Sequence, residues 1–411
     1  MPWKELPIMD QRAEFIHLLH HSDHSMSELC RQYGISRKTG YKWLARYESE
    51  GVAGLSDRSR SPHRCPHRVS DEVAATILSY RDEYGWGPKK LRVLLDRDHP
   101  EIHWPSLTTI HEILKTHGRT VPRKKRRRVP SHNEPFATCS GPNVTWCCDF
   151  KGQFSTGRHR LCYPLTLTDA YSRFLLCCQG LYHPDGPSVR PFFERAFKEY
   201  GLPEFIRSDN GAPFASRAIA GLSRLSVWWT KLGIRHERIR PGHPEENGRH
   251  ERMHSTLKQE TASPPAKGPR LQQRRFDEFV YRYNFVRPHE ALEMATPGSV
   301  HVCSPRPYPS RLPEVTYPLG WVVRKVQLAG ECYWKGHRVF ISEVLGGEPI
   351  GLEAVTDRYY RVWFSWLFLG VFDTHCCRML NAAECRRRPE LKLQNRQDRS
   401  SATLQNNPAD S

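Results

Sequence analysis

Apolar side chains recur along this chain with two different periods, and the period changes where the chemistry changes. From Gln11 to His20 they fall at Phe15, Ile16, Leu18 and Leu19, the three-to-four spacing of an amphipathic helix. Ser27 to Tyr33 predicts a second short helix and Gly34-Ile35 a turn; Ser36 then caps a third helix carrying Trp43 and Leu44. Leu29 and Ile35 would pack the corner between the last two. This is a helix-turn-helix pattern, and it leaves Arg37, Lys38, Thr39 and Lys42 facing outward, where a major groove would meet them. An ordinary three-helix bundle with a solvated basic face is the alternative, and the tight turn at Gly34 favours the former.

The helical period returns after a linker rich in Ser, Arg and turn formers that begins at Gly54. Ser70 caps a helix through Tyr84, Gly85 to Pro88 breaks it, Lys89 to Leu95 forms another, and Ser106 caps a third that reaches His117. Two such modules in tandem could span more than one turn of a duplex, adding phosphate contacts that raise affinity. Six basic residues follow between Pro122 and Pro130, namely Arg123, Lys124, Lys125, Arg126, Arg127 and Arg128. Their mutual repulsion prevents folding, so the run reads as a tether that touches phosphate. A nuclear-localisation reading fits the same residues, so they report charge and little about the host.

From about Gly141 the pattern becomes strand-like and alternates with helices, which argues an α/β domain. Thr145 to Phe154, Leu161 to Thr168 and Arg173 to Cys178 read as three successive strands, Ser188 to Tyr200 as a helix, and Glu204 to Ser208 as a fourth strand. Asp149 lies within the first strand and Asp209 at the end of the fourth. A strand-borne carboxylate that would otherwise be buried needs a ligand, and a hard divalent cation supplies one. Glu251 lies on a later helix with Ser255 and Lys258 at i+4 and i+7, so a carboxylate, a hydroxyl and an ammonium share one edge. Three carboxylates of this kind suit a two-metal phosphoryl-transfer site. A long amphipathic helix carrying Phe276, Phe279, Val280 and Tyr283 follows. After Pro297 come short strands, Trp321 to Leu328, Glu331 to Trp334, Arg338 to Val344, Pro349 to Val355 and Tyr360 to Phe364.

Composition sharpens this picture. Lys and Arg number 62 against 44 Asp and Glu in 411 residues, a formal charge of +18, and the positive residues cluster, which points to a polyanionic partner. The length implies several domains. We divide the chain into a helix-turn-helix module at 1–55, a linker at 56–69, a second helix-turn-helix or winged-helix-like module at 70–120, a basic linker at 121–140, a catalytic core at 141–300, a small β-barrel at 315–372 and a disordered tail at 385–411. Thirteen scattered cysteines without a Cys-x-x-Cys read as buried thiols in a reducing compartment. His17, His20, His21, His24 and Cys30 could suggest zinc, but no second cysteine lies near. No secretion signal and no membrane-length apolar run appears, so a soluble, intracellular protein is expected.

The motifs Trp146-Cys-Cys-Asp-Phe-Lys-Gly152, Asp169-Ala-Tyr-Ser-Arg173, Ser208-Asp-Asn-Gly211, Pro241-Gly-His-Pro244, Asn247-Gly-Arg-His-Glu-Arg-Met-His-Ser-Thr-Leu-Lys258 and Tyr283-Asn-Phe-Val-Arg-Pro-His289, with Thr296-Pro297, occur in one order. In them the chain resembles transposases of bacterial insertion sequences with a retroviral-integrase-type Asp-Asp-Glu core. The resemblance extends to about residue 370. It implies a multidomain protein with α-helical helix-turn-helix modules, an α/β ribonuclease-H-like core and a small C-terminal all-β barrel. It also implies an Mg²⁺-dependent polynucleotidyl transferase with two ions per active site, Mn²⁺ being able to substitute. The substrates would be double-stranded DNA, both the terminal repeats of the element and the target, handled by a homodimer or larger oligomer in the cytoplasm at the nucleoid, away from any membrane. A non-catalytic DNA-binding regulator and a nuclease that cuts without joining are the alternatives.

By position in these motifs, Asp149, Asp209 and Glu251 would be the catalytic residues and metal ligands. Forty-one residues separate Asp209 from Glu251, a span longer than in retroviral-type members, whereas 35 separate it from Glu245. The family's acid follows an Asn-Gly-x-x turn, which selects Glu251, with the surplus assigned to an insertion around Ala215 to Trp228; Glu245 and Glu246 remain the rivals. Asn210, Gly211, Asn247 and Gly248 would shape the chain beside the metal, and Arg249, Ser255 and Lys258 would follow the DNA backbone. Asp169 is read as a structural turn residue. Arg287, Pro288 and His289 are expected to pack, with a DNA contact from Arg287 as the other option.

Overall fold

The computed structural model describes residues 8–58, 68–120, 139–157, 160–240, 248–388 and 391. The chain divides into two compact units, Met1–Glu72 and Val73–Ser411. In the first, α1 (Ile8–His21), α2 (Met26–Gln32) and α3 (Arg37–Glu50) enclose Phe15, Ile16, Leu29, Cys30, Trp43 and Leu55. Burial of each such large apolar side chain contributes about 1.5–3 kcal/mol. Ser25 caps α2 in a reciprocal box with Glu28, one position earlier than the helix expected from Ser27. The Ser36 hydroxyl accepts from the Thr39 amide and caps α3. Gly34 takes φ +63° in the turn between α2 and α3, a left-handed conformation that glycine adopts without strain. The expected helix-turn-helix is present.

The second unit opens with α4 (Asp71–Tyr84), α5 (Pro88–Asp98) and α6 (Leu107–Thr116), wrapped around Ile77, Trp86, Leu91, Leu94, Leu95, Trp104, Ile110 and Leu114. The buried Trp104 indole donates to the Leu95 carbonyl at 3.1 Å, so its polar edge is satisfied. The basic run Arg123 to Arg128 lies outside the described residues.

A six-stranded sheet follows, with β1 (Thr145–Phe150), β2 (Phe154–Ser155), β3 (Leu161–Asp169), β4 (Leu175–Leu181), β5 (Phe205–Ser208) and β6 (Arg235–Arg238). Its order is β2-β3-β1-β5-β6, with β4 also on β3. β1 and β4 run antiparallel to β3, while β1, β5 and β6 are parallel. The helices α7 (Gly186–Tyr200) and α8 (Arg224–Lys231) cover one face, where Trp146, Leu165, Leu167, Phe193, Phe197, Trp228 and Trp229 form the main core. On the other face α9 (Gly248–Thr261) and α10 (Pro269–Tyr281) bury Met253, Leu257, Phe276 and Phe279 against Cys162 and Cys178. The expected first strand is split in two because Gly152 turns the chain at φ +82°. Arg173, expected in a strand, instead ends the preceding turn at φ +63°.

Beyond the one-turn helix α11 (Pro297–Val300) come β7 (Val322–Lys325), β8 (Glu331–Trp334), β9 (His337–Phe340), β10 (Pro349–Ala354), β11 (Tyr359–Phe364), β12 (Leu367–Asp373) and β13 (Arg378–Met379). Five of them form the sheet β13-β12-β11-β10-β7, and β8 pairs with β9 apart. Among the described residues no strand pairing closes this sheet into the expected barrel. Leu222 and Val227, just before and within α8, join its apolar core. Order continues past the expected start of the tail: Cys385 lies within α12 (Ala382–Arg386), whose cap Asn381 accepts from the Ala383 and Glu384 amides.

Candidate active site

The parallel register of β1 and β5 determines where the first two acids stand. Thr145 pairs with Phe205 and Cys147 with Arg207, where the pairing ends; Asp149 and Asp209 each follow two residues later, Asp149 still within β1 and Asp209 just past the end of β5. Residues level with one another in a sheet project to one face. On the antiparallel side Asp149 is level with Thr166 and Cys147 with Thr168. That face is the one α9 covers.

Asp149 is partly buried, with 19% of its side chain exposed, and its Oδ1 accepts from the Phe150 amide at 2.8 Å. Asp209 follows β5 directly, and its Oδ1 accepts from the Gly211 amide at 3.1 Å. A Cβ on residue 211 would meet Asp209 Oδ2 at 3.0 Å, so glycine gives the carboxylate its room. Asn210 fastens the loop by donating to the Ile239 carbonyl at 2.8 Å. Burial pushes the Cys148 thiol well above its ordinary pKa, and charge at Cys147, Asp149 and Asp209 adds to the effect.

Glu251 lies in the first turn of α9, and its side chain is exposed. Ser255 and Lys258 are exposed with it, while His250, Met253, His254, Leu257 and Thr261 are buried against the sheet. One residue on from His250, Glu251 is turned about 100° around the helix from the buried face. Asn247 lies outside the described residues, as do Glu245 and Glu246; Gly248 and Arg249 begin α9.

The side chains that α9 does bring to Asp149 are two histidines. One ligand atom from each of Asp149, His250 and His254 lies within 4.8 Å of the other two, and Asp149, Asp209 and Glu251 form no such group. The Thr166 hydroxyl lies 2.6 Å from His250 Nε2 and 2.8 Å from His254 Nε2. Burial pushes the His250 pKa down to about 3, and His254 falls to about 2 through burial and the neighbouring charges of His250 and Lys151. Both rings are therefore neutral at ordinary pH. Reading the motif for carboxylates passed over this pair, although its i, i+4 spacing was visible in Asn247 to Lys258.

Asp169 behaves as a turn residue: wholly buried, it accepts from the Asn143 amide at 2.9 Å and from the amide and hydroxyl of Ser172. Arg287 pairs with Glu260 at 2.8 Å and lies over the Trp86 ring, which is a packing role. In the first unit Arg37, Lys38 and Lys42 are exposed on α3, while the Thr39 hydroxyl is bonded to Ser36 at 2.9 Å. The N-terminal histidines and Cys30 form no metal-ligand group among the described residues.

Comparison with known proteins finds matches along much of the chain. Integrase core domain models match residues 140–244 and 232–297, a helix-turn-helix domain model matches 11–63, and a homeodomain-like model matches 39–114. The chain is 24% identical over 250 residues to an uncharacterized protein of insertion element IS476 from Xanthomonas euvesicatoria, covering 60% of this chain and 69% of that one. It is 26% identical over 260 residues to an uncharacterized protein of insertion element IS407 from Burkholderia multivorans, covering 60% and 87%. Among solved structures, the catalytic core domain of HTLV-2 integrase in complex with magnesium aligns over 39% of this chain and 98% of its own, at 16% identity and a TM-score of 0.32.

Proposed function

We propose, from the premise that this chain carries an integrase core behind helix-turn-helix modules, that it is a DNA transposase that cuts the ends of a mobile element and joins them to target DNA. The observation that carries the reading is that Asp149 and Asp209 stand at the carboxyl end of the neighbouring parallel strands β1 and β5. These three carboxylates would hold two Mg²⁺ ions, with Mn²⁺ able to substitute, since an all-oxygen donor set suits hard divalent cations. When bound, the ions supply the Lewis acidity that activates a water or 3′-hydroxyl and stabilises the leaving oxygen.

The chain's own residues do the rest. The Gly211 amide would orient the Asp209 carboxylate, and the pairing of β1 with β3 would hold Asp149 in place. Exposed Ser255 and Lys258, in line with Glu251, would track the DNA backbone past the acids, and Arg249 is assigned the same role from the sequence. Arg37, Lys38, Thr39 and Lys42 would meet the terminal repeats through the major groove, and Arg123 to Arg128 would add phosphate contacts. Two ends must be processed together, which calls for a homodimer or larger assembly on DNA. Among the described residues no helix is long and apolar enough to cross a membrane, and we place the protein at the nucleoid in the cytoplasm.

Purified protein incubated with element-end DNA, target DNA and Mg²⁺ should yield both cleaved and joined products, and Asp149→Ala should yield neither. Joining by that variant at the wild-type rate would sink the reading. Binding without cleavage would identify a regulator with an inert core, and cleavage without joining a nuclease.

A further inference from the structure

The Asp209 carbonyl lies past the last pair of β5 with β6, Ser208 and Arg238. Beyond that pair the Ile239 amide donates to the Ser208 carbonyl at 3.1 Å, and Asn210 donates to the Ile239 carbonyl at 2.8 Å. Neither bond reaches the Asp209 carbonyl. The Ser208 hydroxyl does, donating to it at 2.8 Å.

Ser208 is only 2% exposed, and its hydroxyl has a second neighbour. His236, on the edge strand β6, brings Nε2 to 2.8 Å from the same oxygen. The ring stands edge-on to Trp229 of α8, with centroids 5.1 Å apart. A line of contact therefore runs from the main core through His236 and Ser208 to the backbone of the acid. Burial, with the charge of Arg238 adding to it, holds the His236 pKa down to about 4, so the ring is neutral at ordinary pH. A neutral imidazole nitrogen donates or accepts according to its tautomer, and either arrangement ties Ser208 to β6. Apolar groups of the same shape could fill this space at little cost in stability. What the polar pair adds is a fixed direction for the hydroxyl that holds the Asp209 carbonyl.

We infer that His236 is a positioning residue that acts through Ser208 to fix the peptide of Asp209, and with it the place from which the carboxylate serves the reaction. The inference rests on the proposed function in taking Asp209 as one of the three acids.

The test compares His236→Phe, His236→Gln and Ser208→Ala in the full chain. Phenylalanine keeps a ring against Trp229 but has no polar atom, whereas glutamine offers both a donor and an acceptor. In metal-free protein, amide exchange at Gly211 and Ile239 should quicken about fivefold in His236→Phe and Ser208→Ala, as for loss of one neutral hydrogen bond. It should stay as in wild type in His236→Gln, and throughout α7 in every variant. With element-end DNA, His236→Phe and Ser208→Ala should need about fivefold more Mg²⁺ for half-maximal cleavage, with a maximal rate within about threefold of wild type. Glutamine should restore the wild-type requirement, which a role in packing alone would not allow. Unchanged exchange and Mg²⁺ requirement in both His236→Phe and Ser208→Ala overturns the inference, as does a His236→Gln variant as impaired as His236→Phe. Should His236→Phe not fold, Ser208→Ala and His236→Gln decide the matter. Cleavage that none of these variants alters would leave the transposase reading intact and remove only the tether. Faster exchange in the variants of a protein that cuts no DNA would remove that reading and keep the tether.

Discussion

Asp149, in β1, and Asp209, directly after β5, each lie two residues beyond Cys147 and Arg207, the last pair that joins these parallel strands. Both acids therefore stand at the carboxyl end of the parallel pair. Trp146, Cys148 and Ile206 of the same two strands are buried in the main core.

It follows that charge at these positions can be removed without removing the fold. Asp149→Asn and Asp209→Asn keep shape and can still accept from the Phe150 and Gly211 amides. Each should melt within a few degrees of wild type while cleavage and joining fall on the order of 10³-fold or more, as when members of a catalytic unit are deleted singly. A variant that unfolds, or one that retains a tenth of the activity, would contradict this assignment.

Glu251 allows a sharper separation. Its exposed side chain carries no packing, so Glu251→Gln should change stability by less than about 0.5 kcal/mol. Loss of activity comparable to that of Asp149→Asn is expected. Glu245→Gln and Glu246→Gln should be active; if Glu245→Gln is the inactive one, the third acid has been placed in the wrong turn.

In the DNA-binding unit, Gly54 has a structural role that can be measured apart from catalysis. A Cβ there would lie 2.3 Å from the Arg46 carbonyl oxygen, so the backbone of the chain after α3 would have to shift. Gly54→Ala should destabilise this unit by about 1–3 kcal/mol, seen as a lower urea midpoint for its unfolding. Strand joining on pre-cut ends at saturating DNA should change little, and a wild-type midpoint would show that the turn accommodates the methyl group.

Much of this architecture was legible because the apolar periods were clean: α4 to α6, β3, α7 and the strands from Glu331 to Phe364 lie close to where the pattern put them. The misses have physical causes. β6 is Arg-His-Glu-Arg, an edge strand with no apolar alternation, recognisable only by its pairing with β5. α8 spans only eight residues, about two turns, too short for its period to stand out, and its burial, with Trp228 and Trp229 in the main core and Val227 in the C-terminal one, becomes visible only in the fold. At the site, Asp149 and Asp209 could be found as acids ending strands, but the approach of His254 to Asp149 depends on how α9 lies over β3, which no local pattern encodes.

The histidines of α9 also make stability depend on pH. In the unfolded chain they would titrate near 6.5; in the folded protein burial holds His250 down to about 3, and His254 lower still. Between these values the unfolded state binds more protons, so stability falls as pH falls. The contribution is complete above pH 6.5 and lost progressively toward pH 3. Each histidine can contribute a slope approaching 1.4 kcal/mol per pH unit in the middle of that window. Metal-free protein unfolded in urea with a chelator present should show its midpoint for the second unit dropping steadily from pH 6.5 to 4.5. His250→Gln and His254→Gln, which cannot take up the proton, should each flatten that slope even if they lower the midpoint at neutral pH. A slope unchanged in both variants would mean that acid sensitivity resides elsewhere and that the two rings titrate as they would in water.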